Sequence, residues 1–178
     1  PALTVNITAT ADTICNPNNG GAVTLYANAS GGLGAGTYIY QWQENGTNIP
    51  GATADSLVAF PMVTTTYTVL VSSGAVNCSA QAQKVITVKP EVIADAWAGP
   101  ETDTAFLCSY ETATLGGTQQ GGNPKIYDWY TIAPPANTWT SNLANPVVPF
   151  DVVPVTYVLH LTAAGCEDWD TITIAPYP

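Results

Sequence analysis

The sequence predicts an all-β protein built as two tandem Greek-key β-sandwiches. Three observations lead there. The chain repeats itself, residues 11–90 and 104–178 carrying one order of motifs. Hydrophobic residues make up 46% of it and charged residues only 9%, the reverse of a disordered composition. Thr, Val, Gly, Asn and Pro dominate, and no window sustains a 3.6-residue period, which leaves strands and turns.

The repeat is read motif by motif. A cysteine comes first, at Cys15 in DTIC and Cys108 in AFLC. A strand running into Gly-Gly follows, VTLYANASGG in the first copy and ATLGGTQQGG in the second. Next is a Tyr-x-Trp strand ending at Trp42 or Trp129. A tyrosine then opens an alternating strand, YTVLV from Tyr67 and YVLHL from Tyr157. The second cysteine follows a small-residue turn, at Cys78 or Cys166, and each copy closes on VITV or TITI before a proline. We place domain boundaries at 1–90 and 91–178.

In the first domain, strands are expected near 3–9, 11–15, 22–28, 38–43, 47–49, 56–60, 66–72 and 81–88. Asn45-Gly46 is a strong hairpin signal and folds 38–43 back on 47–49. Alternation puts Tyr67, Val69 and Val71 inside and Thr66, Thr68 and Leu70 outside. The second domain repeats this near 92–97, 103–108, 112–116, 125–130, 147–150, 156–162 and 168–174. There Tyr157, Leu159 and Leu161 face in, while Val158, His160 and Thr162 face out. About seven short strands per ~85 residues, with frequent turn signals, specify a sandwich. The linker KPEVIADAWAGP is short and carries apolar residues, as a semi-rigid junction does.

The formal net charge is −10 with no arginine. Residues 1–90 hold three acids against two lysines (net −1), and residues 91–178 hold ten acids against Lys125 (net −9). Nothing neutralises phosphates, so nucleic acid is excluded as a partner, and anionic membrane surfaces are disfavoured. No apolar run approaches the ~18 residues of a membrane helix, so no membrane insertion is expected. The start on PALTV, without a signal peptide, reads as a mature protein or a piece of a longer one.

VTLYANASGG, YQWQENGTNIPGAT and TYTVLV resemble an immunoglobulin-like module. They are similar in particular to the Ig-like and PKD-like repeats of large surface and gliding-associated proteins of Bacteroidetes-type bacteria. The resemblance covers nearly the whole chain, and its motifs are low in complexity. It implies Ig-like sandwiches centred on Trp42 and Trp129, with Tyr67 and Tyr157 in the cores, in an extracellular multidomain adhesin or stalk. The positions of an antibody-type inter-sheet disulfide read Ala27 and Val69, and Gly117 and Leu159, so the tryptophans should pack on aliphatic residues.

The four cysteines, two per repeat, imply disulfides in an oxidising compartment. With no C-x-x-C and one histidine, a zinc site is not expected. Pairing within each repeat gives Cys15–Cys78 and Cys108–Cys166. In an Ig-like sandwich, however, Cys15 falls at the far end of its domain and Cys78 at the near end, roughly 20–25 Å apart. Disulfide Cα atoms lie within about 7 Å. The same order favours an interdomain Cys15–Cys166 pair, with Cys78 and Cys108 turned toward preceding and following modules. Intradomain pairs and free thiols are the alternatives.

Two further groups stand out. Asp95, Glu101, Asp103, Glu167, Asp168 and Asp170 could offer hard oxygen ligands to calcium near the junction. No D-x-D-x-D-G loop is present, and solvated acids that maintain solubility account for them as well. No other cofactor is expected. His160, Trp169 and Tyr130 share outward parity and form a ligand face, for a sugar ring or for a neighbouring protein surface. Lone His160 has no nucleophile at a recognisable spacing, so no catalytic residue and no enzyme activity are expected. The expected function is a structural and adhesive module, a spacer or repeating unit of a surface fibre whose partners are neighbouring modules. A carbohydrate-binding accessory module of a secreted enzyme is the alternative.

Overall fold

The computed structural model describes residues 1–74, 78–99, 103–117, 119–132, 139–149 and 151–178. The backbone forms two compact units, Pro1–Lys89 and Pro90–Pro178. Among the described residues no helix is long and apolar enough to cross a membrane.

Among the described residues the first unit contains eight strands: β1 (Thr4–Ala9), β2 (Thr13–Ile14), β3 (Val23–Ser30), β4 (Tyr38–Glu44), β5 (Thr47–Asn48), β6 (Ser56–Ala59), β7 (Thr65–Ser73) and β8 (Ser79–Val88). One sheet has the order β1-β3-β6 and the other β2-β8-β7-β4-β5. The β4–β5 turn carries positive φ at both Asn45 (47°) and Gly46 (82°), the geometry that matches hairpin twist. Alternation along β7 buries Tyr67, Val69 and Val71, and Trp42 sits opposite Val69, fully buried. Val23, Leu25 and Ile86 belong to the same core.

The second unit repeats the plan with β9 (Thr104–Leu107), β10 (Thr112–Thr114), β11 (Lys125–Thr131), β12 (Thr140–Ser141), β13 (Val147–Pro149), β14 (Val155–Ala163) and β15 (Cys166–Pro176). Its sheets run β10-β13 and β12-β11-β14-β15-β9. Trp129 lies opposite Leu159, both fully buried, among Leu115, Val148, Leu161 and Ile172. Trp139 meets Tyr157 edge-on at 5.1 Å.

The two units are thus all-β Greek-key sandwiches of one topology, as the repeat requires. Three details differ from the sequence expectation. The strand at 92–97 is reduced to isolated bridges at Ile93–Gln120 and Trp97–Gly116. The short β12 gave no periodic signal, because two residues cannot show a period. Thr68 and Val158 have outward parity yet are buried, flanked in register by Gln43 and Gln83 and by Tyr130 and Thr171 respectively.

Candidate functional site

In each unit the two cysteines mark opposite ends of the last strand. Ile14 pairs with Val88 in parallel, and Lys89 N–H donates to the Ile14 carbonyl (2.9 Å), so Cys15 lies where β8 ends. Leu107 pairs with Pro176, and Tyr177 N–H donates to the Leu107 carbonyl (2.9 Å), so Cys108 holds the same position beside β15. We call this the trailing end of a unit. Cys78 and Cys166 both lie at the leading end, before the last strand. Ser73 N–H donates to the Cys78 carbonyl (3.0 Å), and Ala163 pairs with Cys166 in the matching register. Ten strand steps at ~3.3 Å separate the two ends by about 30 Å, several times the disulfide limit. A bond within either unit is therefore impossible.

Cys15 and Cys166 are disulfide-bonded. Cys78, partly buried, and Cys108, exposed, carry free thiols. These are the states that the Cys15–Cys166 pairing requires, and the pairs Cys15–Cys78 and Cys108–Cys166 do not form.

The acids near residues 92–97 have a definite task. Asp168 and Asp170 sit at inward parity on β15. Asp168 Oδ2 accepts from Ala94 N–H (2.8 Å), and Asp170 Oδ2 accepts from Ala96 N–H (2.7 Å). Ile93 and Trp97 donate the other way, to Gln120 and Gly116 carbonyls. Every second amide of this segment is thus satisfied by a carboxylate where a strand partner would serve elsewhere. The equivalent positions of the first unit are Ala80 and Ala82, packed against its core where β8 lies along β1. Asp103 contributes its backbone carbonyl to Thr173 N–H, and Asp95 contributes its carbonyl to the Gln119 side chain. Glu101 lies outside the described residues. Among the described residues, no three His, Cys, Asp or Glu side chains gather as a metal site.

His160, Trp169 and Tyr130 lie on the outer face of the sheet β11-β14-β15. His160 pairs with Trp169 on one side and Asp128 on the other. The imidazole stacks flat on the indole, ring centres 4.6 Å apart and planes 5° from parallel. His160 Nε2 is 3.3 Å from Glu167 Oε2, an ion-pair distance once the imidazole is protonated, but the alignment is not that of a hydrogen bond. One face of Trp169 is occupied by His160, and the ring remains half exposed. Tyr130 pairs with Val158, one row further along the same face.

The buried aromatic groups divide the two cores. Trp42 Nε1–H donates to the Ala54 carbonyl (3.0 Å), whereas Trp129 Nε1–H has no acceptor among the described residues. Tyr67 donates its hydroxyl to Glu44 (3.0 Å); burial first, and then this bond to the carboxylate, push the phenol far above its ordinary range. Tyr157 is raised by burial and then by the Asp151 charge.

No family model and no curated protein matches this sequence. Solved structures do. The insect immune protein hemolin is similar, with a TM-score of 0.50 at 11% identity over 88% of this chain and 43% of that one. A Ca²⁺-stabilized adhesin with which an Antarctic bacterium binds ice gives 0.49 at 16% identity, over 99% of this chain and 50% of that one. The three N-terminal domains of the highly immunogenic outer capsid protein of bacteriophage RB49 give 0.49 at 15%, over 98% and 59%. The chain thus spans roughly half the length of these structures. The likeness is one of fold, tandem immunoglobulin-like domains.

Proposed function

We propose that this chain is a non-catalytic structural and adhesive module, one segment of a surface-exposed adhesin or fibre of a Bacteroidetes-type bacterium. The observation that carries the reading is the path of the chain through each unit. In the first unit Gly32 N–H holds the Pro1 carbonyl (3.1 Å) beside Ser73, while β8 ends at the opposite pole. The second unit begins at Val92 and Ile93, close to Ala163 and Gly121, and ends beside Leu107. A sandwich entered at one pole and left at the other suits units joined in series, which transmit load along hydrogen-bonded strands. The bonded cysteines fit an oxidising, extracellular location. Reading the full-length gene tests this. Further repeats of the pattern Cys, Tyr-x-Trp, Tyr-strand, Cys are expected, and a neighbouring catalytic domain in their place would overturn it.

A second reading is favoured by one observation, the half-exposed Trp169 braced by His160 on an open sheet face. Such an indole can stack a sugar ring, as a carbohydrate-binding module of a secreted enzyme would require. Electrophoresis through polysaccharide-containing gels decides it. Retardation lost in Trp169→Ala supports glycan binding, and unchanged mobility in all gels removes it.

A further inference from the structure

We propose that Cys108 and Cys78 are the two open halves of a trailing-to-leading disulfide, through which Cys108 of one copy bonds Cys78 of the next. The argument starts from equivalence. Cys108 and Cys15 occupy one position, fixed by matching parallel registers and by the same amide-to-carbonyl bond at the end of the last strand. Cys78 and Cys166 likewise occupy one position at the leading hairpin. In each equivalent pair one member is bonded and the other is free. The two that are bonded are one trailing cysteine, Cys15, and one leading cysteine, Cys166. The two that remain are also one of each kind.

Partners within the same unit are out of reach, as the strand length shows. The trailing pole of the second unit also carries apolar side chains that a covering partner would bury. Tyr110, in the turn after Cys108, is 100% exposed, Tyr177 68% and Phe106 54%, the last two meeting edge-on at 6.3 Å. At the leading pole of the first unit, Leu33 is 72% exposed and Ile39 65%. A leading pole that meets a trailing pole is a heterologous contact, which builds open chains, not closed dimers.

The bond forms by thiol–disulfide exchange with a small-molecule disulfide such as oxidised glutathione. The Cys108 thiolate attacks one sulfur of the oxidant, the oxidant's S–S bond breaks, and one small thiolate leaves. The Cys78 thiolate of the next copy then attacks Cys108 Sγ in this mixed disulfide and expels the second small thiolate. Two protein thiols are oxidised to one disulfide, and one small disulfide is reduced to two thiols, which take up the two protons that the protein thiols lose. The proposal rests on the serial-module reading, but its test is independent of what the gene encodes next to this chain.

The test uses the full chain incubated with oxidised glutathione. Non-reducing electrophoresis should show a ladder of oligomers that collapses to monomer on reduction. Cys78→Ser alone and Cys108→Ser alone should each remain monomeric, and a mixture of the two should give dimers only. Lysine-specific digestion should join residues 1–84 to residues 85–125 through Cys78 and Cys108. Symmetric dimers in either single variant, an intrachain Cys78–Cys108 bond, or a wild-type chain that stays monomeric would each overturn the proposal. Cys108 is exposed, so its serine variant leaves the core intact, and alkylated wild-type chain serves as a second blocked control.

Discussion

The two central tryptophans show how one residue type acts differently in two copies. Trp42 and Trp129 are both fully buried, but among the described residues only Trp42 has an indole acceptor, the Ala54 carbonyl. Truncation to alanine should cost about 3–5 kcal/mol at either site, from lost burial and the cavity left behind. Replacement by phenylalanine separates them. Trp42→Phe strands a carbonyl and should cost about 1 kcal/mol more than Trp129→Phe, read from urea midpoints. Tyr67 gives a pH signature. Its folded-state pKa lies above the ordinary 10.0 through burial and the bond to Glu44. A raised pKa favours the protonated fold, so the contribution is complete below pH 10 and is lost as pH rises beyond it. Stability should fall through that alkaline range, and Tyr67→Phe should flatten the fall. An equally steep loss in the variant would show that another group is responsible.

The strands that open the units make a parallel contrast. In the first unit, β1 pairs with β3 along its whole length, from Thr4–Ser30 to Ala9–Leu25. In the second, residues 92–97 keep two bridges and lean on two carboxylates. The cause is the change from Ala80 and Ala82 to Asp168 and Asp170 at equivalent inward positions. Small apolar groups let a regular strand lie against them, whereas carboxylates there need donors and find them in Ala94 and Ala96 amides. Asp168→Ala or Asp170→Ala leaves one of these buried amides unpaired and should cost about 1–3 kcal/mol. Hydrogen exchange at Ala94 and Ala96 should speed up by about fivefold to somewhat over a hundredfold in the respective variant, since each 1.4 kcal/mol is a factor of ten. Unchanged protection would mean that the carboxylates are incidental.

The disulfide arrangement governs the chain as one covalent object. A Cys15–Cys166 bond closes a loop of about 150 residues, for which loop entropy alone gives up to about 5 kcal/mol. Its connectivity is readable by mass. Lysine-specific digestion without reductant should leave residues 1–84 tied to 126–178 and release 85–125 alone. If 85–125 is instead tied to 126–178, the pairing is Cys108–Cys166 and this assignment fails.

Much of the architecture was legible in the residues because periodicity two and turn chemistry are local. The repeat, the Asn45-Gly46 hairpin and the inward sets around Tyr67 and Tyr157 follow from alternation alone, and β7 and β14 show those patterns directly. Strand order also foretold which cysteines could not meet, since a bond cannot span a sandwich lengthwise. The roles of Asp168 and Asp170 were not legible as such. Their inward parity was visible in the sequence, but carboxylate on a core-facing position signals a ligand, an ion or a solvated edge equally well. Only the fold, by bringing residues 94 and 96 within hydrogen-bonding distance across 74 positions of chain, decided that backbone amides fill that place. The stacking of His160 on Trp169 is of the same kind. Alternation put both rings on one face and the two-residue Ala164-Gly165 turn sets the register that pairs them, while the flat stack of imidazole on indole is seen only in the folded sheet.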